Sequence, residues 1–261
     1  MSGSASPPSE AESRPTRAPA AASAADGAGL REQVLDALGT VYDPELDEPI
    51  TSLRFITSCR VTAEGDVDVV LRLPTPQCAP NFAFLMAADA RRAAGSVTGV
   101  RGVSIALEDH YTGEEINRAL ARGQGFTGAF PGETEDDDLE ALRELFIRKA
   151  LIGRQARLCE RMLDNGASEQ EVVSATVSQL PTGDADANRV LELRVQLGFS
   201  AAPDAPAFIQ PNGEPVAVDQ LRRWLRAGRL VRTGLEANGG MCRSLLAFRH
   251  NLDSETQEVG R

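Results

Sequence analysis

Three prolines crowd the segment Leu73-Pro74-Thr75-Pro76-Gln77-Cys78-Ala79-Pro80, and they dictate what the chain on either side can be. Proline fixes φ and has no N–H to donate, so a strand entering this segment must stop there. Before it, Val67, Val69, Leu71 and Leu73 alternate as the inward face of a strand. After it, Phe82, Leu85, Met86 and Ala90 recur at helical spacing, ending near Gly95. The segment is therefore a rigid loop joining a strand to a helix, with Cys78 in it.

The flanking elements follow from the same two periodicities. Leu53, Phe55, Cys59 and Val61 share one face and Arg54, Ser58 and Arg60 the other. With Glu64-Gly65 as the turn, this run and the next form a β-hairpin. Val103, Ile105 and Leu107 make a third strand. Thr112 and Glu115 have the spacing of a capping box opening a helix through Ile116 and Leu120. Upstream, Leu30, Val34, Leu35, Leu38 and Val41 mark a helix expected to end at Asp43-Pro44-Glu45, because the residue before proline disfavours helix. The expected fold is α/β (α+β): a small α-β-β-α-β-α domain over residues 29–122 with a mixed three-stranded sheet, followed by a second, smaller α+β domain.

Residues 123–138 read as a Gly-rich, then acidic linker, and residues 139–252 as the accessory domain. Leu139, Leu142, Phe146, Ala150, Gly153 and Ala156 predict a long amphipathic helix ending at Asn165-Gly166. Ser168 and Glu171 predict a capped helix. Leu191, Leu193, Val195 and Leu197 alternate as a strand, Leu221, Trp224 and Leu225 suggest a short helix, and Leu230 to Leu235 a short strand. Residues 1–28, rich in Ala, Ser and Pro, read as a disordered leader, and 253–261 as a tail. Glu10, Glu12 and Asp26 oppose a transit peptide.

Composition narrows function by exclusion. The net charge of −11 opposes nucleic acid or an anionic membrane surface as the main partner, since both demand clustered cations. No apolar run has the length of a membrane span. The 42 % hydrophobic content is ample for a packed core, and the expected setting is cytoplasmic. The cysteines Cys59, Cys78, Cys159 and Cys242 form no C-x-x-C and the histidines are His110 and His250, so neither a disulfide framework nor a zinc-ligand spacing is present.

Cys78 is the strongest candidate for chemistry. A thiol in a braced loop directly before a helix meets the positive helix end, which favours the thiolate. The alternative is a small buried cysteine filling the loop. Asp43 and Glu45 beside Pro44 could act as acid–base groups or hard ligands, or simply make the local backbone bonds of a turn. Cys59 and Cys159 fall on apolar faces and read as core. Cys242 follows Asn238-Gly239-Gly240, which reads as a turn but could bring it close to a partner. His110, between Asp109 and Tyr111, could be a ligand or proton donor, or an exposed loop histidine. His250 is weaker, and no phosphate loop, nucleophile elbow or H-E-x-x-H is present.

Asp43-Pro44-Glu45 at the end of a helix, a hairpin, and Thr75-Pro76-Gln77-Cys78 opening a second helix together resemble the SufT/PaaD-like (MIP-type) family of iron–sulfur assembly proteins. The resemblance covers residues 29–122. It implies that Cys78 contacts an iron–sulfur cluster or a client's metal centre, with Asp43, Glu45 and Thr75 as supporting polar residues. Where the family usually reads V-D-L-G-L-V, this chain has Ile50-Thr51-Ser52-Leu53-Arg54-Phe55, with Arg54 in place of a glycine. Gln77 stands where the family has glycine, and Asp109-His110-Tyr111 replaces P-P-W.

The expectation is thus a non-enzymatic factor that handles a transient iron–sulfur cluster or iron and helps mature a client metalloenzyme, such as a multicomponent di-iron oxygenase. Its partners would be the client or other assembly proteins. A single thiolate per chain cannot complete a four-cysteine cluster, so a homodimer or a client-supplied ligand is required. The alternatives are a protein-interaction chaperone in which Cys78 is structural and, third, a thiol enzyme pairing Cys78 with His110.

Overall fold

The structure, a computed structural model, describes residues 21–137 and 139–250. Most of the expected leader and the whole tail lie outside them. Helix α1 (Ala21–Leu38) begins inside the stretch read as leader, in keeping with the helix propensity of its alanines. It ends at Leu38, before the expected Asp43-Pro44-Glu45. Gly39, Thr40 and β-branched Val41 stop it, and Asp43 falls in a two-residue strand, β1 (Tyr42–Asp43), paired antiparallel with β2 (Glu48–Pro49).

The hairpin forms as β3 (Ile56–Val61) and β4 (Asp66–Arg72). Val67, Val69 and Leu71 are each 1 % exposed while Asp66 and Asp68 face solvent, so the alternation sets which side is core. Gly65 closes the turn at φ +90, and a Cβ there would meet the Gly99 carbonyl oxygen at 2.3 Å. Helix α2 (Pro80–Gly95) carries the chain across to β5 (Gly102–Glu108), which pairs parallel to β4. The order β3-β4-β5 is the expected mixed sheet, making the chain α+β. Helix α3 (Gly113–Ala121) follows, without the expected capping box, because Thr112 turns its hydroxyl to His110 instead.

The segment expected as a linker packs onto this first core. It forms a one-turn helix, α4 (Phe126–Ala129), and Phe126 lies edge-on against Phe84 at 5.5 Å. Helix α5 (Glu140–Asp164) starts a second core with α6 (Glu169–Ser174), α7 (Ala185–Gln196) and α8 (Val218–His250). The Ser168–Glu171 capping box is made in both directions.

Both strands expected in this region are helical. Residues 191–197 lie in or just beyond α7, with Val190 and Leu193 buried and Val195 67 % exposed, and Asp184 caps the helix through the Ala187 N–H at 3.0 Å. Residues 230–235 lie within α8, which is 33 residues long rather than a short helix. Sheet pairing here is limited, among the described residues, to two isolated bridges, Thr176–Pro206 and Ile209–Pro215.

Helix α8 joins the two cores. Leu221, Trp224 and Leu225 pack in the second, whereas Leu246 is buried in the first and Cys242 rests against it. Asp47, at φ +49 in the β1–β2 turn, accepts from Arg154 of α5 at 2.8 Å and from Arg189 of α7 at 2.7 Å. Arg189 also stacks 3.4 Å from the Tyr42 ring centroid. The accessory region is thereby locked onto the turn that follows Asp43.

Candidate functional site around Cys78

The proline loop is tied down by the residues after β5. The Tyr111 N–H donates to the Pro76 carbonyl at 3.0 Å, and His110 Nε2 lies 2.8 Å from the Cys78 carbonyl. A carbonyl only accepts, so Nε2 carries the imidazole proton. That leaves Nδ1 to accept from the Thr112 N–H at 3.3 Å. Burial lowers the His110 pKa, which keeps this neutral tautomer. His110 is thus a brace for the backbone of Cys78, with both nitrogens occupied and neither free to act as a base toward the thiol. The segment Asp109-His110-Tyr111 holds the loop through these bonds.

Cys78 lies just before α2, whose first residue is Pro80. The helix end was expected to favour the thiolate, and the Ala79 N–H does act in that direction. Burial dominates, however, and with Asp43, Glu45 and Cys242 nearby it pushes the thiol up to about 12. The Cys78 thiol is therefore held in its protonated form.

Asp43 and Glu45 come together with it. Asp43 Oδ1 accepts from the N–H groups of Glu45 at 2.8 Å and Leu46 at 3.0 Å, the local turn bonds that its position allowed. Those bonds do not offset its burial, which raises its pKa to about 6. Burial also raises Glu45, opposed by Lys149 of α5. Thr75 holds the loop through its carbonyl, which accepts from the Cys78 N–H at 3.4 Å.

Cys242 reaches the same spot from the far end of α8. Burial raises its pKa, as do Asp43 and Glu45. The glycines before it, expected to form a turn, are helical. Cys59 and Cys159 are buried core thiols, as their patterns indicated. The side chain of His250 lies outside the described residues.

Behind the Asp43-Pro44 turn is a cleft of about 530 Å³ between α2 and the accessory helices, lined by Asp43, Pro44, Asp89, Arg143, Phe146 and Arg189 among others. Arg143 and Asp89 pair across it. Sequence reasoning missed Asp47, Arg154 and Arg189. Their pairing spans more than a hundred residues and leaves no local pattern, though a cluster of arginines on α5 was a signal available in retrospect.

Among the described residues, no group of three or more His, Cys, Asp or Glu side chains is arranged to hold a metal ion. A metal held here would need ligands from elsewhere, because the carboxyls of Asp43 and Glu45 and the two thiols do not form such a group. No described helix is long and apolar enough to cross a membrane.

A mixed sheet backed by helices, with a cysteine braced on a loop beside an acidic turn, makes a small α+β domain carrying an accessory helical region. The model of the iron–sulfur cluster assembly protein family matches residues 31–106. An uncharacterized protein of Methanocaldococcus jannaschii is 36 % identical over 90 residues, covering 34 % of this chain and 93 % of that protein. An Fe-S protein maturation auxiliary factor of Porphyromonas gingivalis is 40 % identical over 76 residues, covering 29 % of this chain and 70 % of that one. The chain belongs to the iron–sulfur cluster assembly protein family, through its first domain. No solved structure matches it.

Proposed function

We propose that the protein is a non-enzymatic maturation factor that passes iron or an iron–sulfur cluster to a client metalloprotein, with Cys78 making the contact. The observation that carries this reading is the Cys78 loop, fixed by His110 and Tyr111 beside Asp43 and Glu45. It is supported by membership of the family and by the maturation role in the name of the Porphyromonas gingivalis relative. A di-iron component of a multicomponent oxygenase is the client class we favour. The accessory region would select that client, and the four free thiols fit a reducing, cytoplasmic setting.

Anaerobic iron–sulfur reconstitution of wild type and Cys78→Ser, read by visible absorption with bound iron and sulfide, tests this. A cluster formed by wild type and lost in the variant is the expected result. No cluster in either, together with normal client maturation by Cys78→Ser, overturns it. One observation favours a second reading, an interaction chaperone: burial pushes the half-buried Cys78 thiol up to about 12, so it stays protonated as a structural thiol would.

A further inference from the structure

Helix α8 brings a second thiol, Cys242, to the acidic hairpin near Cys78. Cys242 and Cys78 are both half-buried and pack against the same apolar cluster, and the carboxyls of Asp43 and Glu45 act on both. The docking of this part of the helix is built from two directions. Leu246, one turn beyond Cys242 on the same face, is 3 % exposed in the first core. Arg243, the next residue, donates from Nη1 to both oxygens of Glu48, at 2.7 and 2.8 Å. Glu48 pairs with Asp43 in the short β1–β2 hairpin, whose turn contains Glu45. Cys242 is thus held over the acidic turn by an apolar anchor and an ion pair.

We propose that Cys242 is the second thiol of the Cys78 site, and that the pair forms a half-site for a thiophilic metal cargo. This rests on the reading of Cys78 as the cargo contact. Two thiolates from this chain would hold one iron of a two-iron cluster. The cargo's own sulfide, and ligands of the donor or client protein, complete the shell. On loading, each thiol releases its proton to solvent as its sulfur bonds the metal. The incomplete donor set suits transfer, because a client that supplies the missing ligands already holds part of the cargo.

The site is specific to this pair. Cys59 lies in β3 and Cys159, fully buried, in the second core, so neither belongs to it. Cys242 sits outside the residues matched by the family model, so the accessory region contributes chemistry to a site whose other residues are in the assembly domain.

Two experiments on the full-length, reduced protein test this. In the first, a trivalent phenylarsine oxide is added anaerobically. Arsenic bonds two neighbouring thiols with loss of one water, and peptide mapping should show Cys78 and Cys242 bridged. Absence of that bridge in the folded protein overturns the proposal, and no variant has to fold for the result to count. In the second, Co(II) is titrated and the thiolate-to-metal charge-transfer band is followed. Wild type should show a band that falls to about half in Cys242→Ser, one thiolate replacing two. Cys159→Ser should match wild type. An unchanged band in Cys242→Ser, with loss in Cys78→Ser, overturns the half-site and leaves the Cys78 reading standing. A band untouched by Cys78→Ser, or no band in wild type, overturns both.

Discussion

Asp47 and Arg189, 142 residues apart, meet in a buried pair in which one carboxylate oxygen accepts from Nε at 2.9 Å and from Nη2 at 2.7 Å. The other oxygen accepts from Arg154, and the Asp47 carbonyl accepts from the same guanidinium. The acidic turn and the accessory helices are thereby one mechanical unit. Removing Asp47 leaves the buried Arg189 with only the exposed Glu192 as counter-charge, and the half-buried Arg154 with Asp186. Asp47→Ala should cost about 3–5 kcal/mol in denaturant unfolding. Hydrogen exchange should show the loss concentrated in residues 42–50 and α7, whereas a uniform loss would argue against a local clamp.

The pH dependence of stability should carry the mark of Asp43. Burial raises its pKa from the usual 3.8 to about 6, so the folded protein binds this proton more tightly than the unfolded chain. The associated stability is fully present below pH 3.8 and is lost as pH rises through about 6. The shift corresponds to about 3 kcal/mol. Asp43→Asn keeps an oxygen for the Glu45 and Leu46 N–H groups and does not titrate. Its stability should gain on wild type by that amount between acid and neutral pH. Parallel curves for the two proteins would refute the assignment.

Thiol reactivity gives an independent reading of the site. With Cys78 pushed up to about 12, little thiolate exists at neutral pH. Alkylation of Cys78 at pH 8 in the folded apo protein should be roughly a thousandfold slower than in the denatured chain, and should rise tenfold per pH unit. Glu45→Gln should speed it by removing a repelling charge. A slower reaction in that variant would mean that the two groups do not share the site.

Arg54 sits in the left-handed region, at φ +58. The left-handed region costs an L-residue about 1–2 kcal/mol that glycine escapes, offset in part by the greater freedom of glycine when unfolded. Arg54→Gly should leave the midpoint unchanged or raise it, in contrast to most substitutions in a folded domain. A drop of more than about 1 kcal/mol would show that the Arg54 side chain makes compensating contacts.

The first domain was legible because its signals are local. Alternation in β4, the helical stripe of α2 and the proline loop between them depend on neighbouring residues alone. The β1–β2 pair was not, since strands of two residues each carry no period. In the accessory region, Leu191 to Leu197 fits both periods, and the deciding signal was the cap at Asp184, ahead of the run. Gly228 and the glycines beyond it looked like punctuation in α8. Gly228 is a packing device instead, since a Cβ there would lie 2.4 Å from that of Ala156 on α5. At the site, Cys78, Asp43, Glu45 and Thr75 could be picked from their motifs. The convergence of Cys242 depends on the full length of α8, and the brace by His110 on a backbone contact, neither of which a linear pattern encodes.

That same helix ties the two cores together. Contacts with α5 hold it as far as Glu236, which pairs with Arg157 at 2.8 Å, and Cys242 lies six residues beyond, about 9 Å at the helical rise. Arg243 then pairs with Glu48, and Leu246 enters the first core. Helix α8 thus works as a tie rod, and strain set up in the accessory helices reaches the cysteine along a single stiff element.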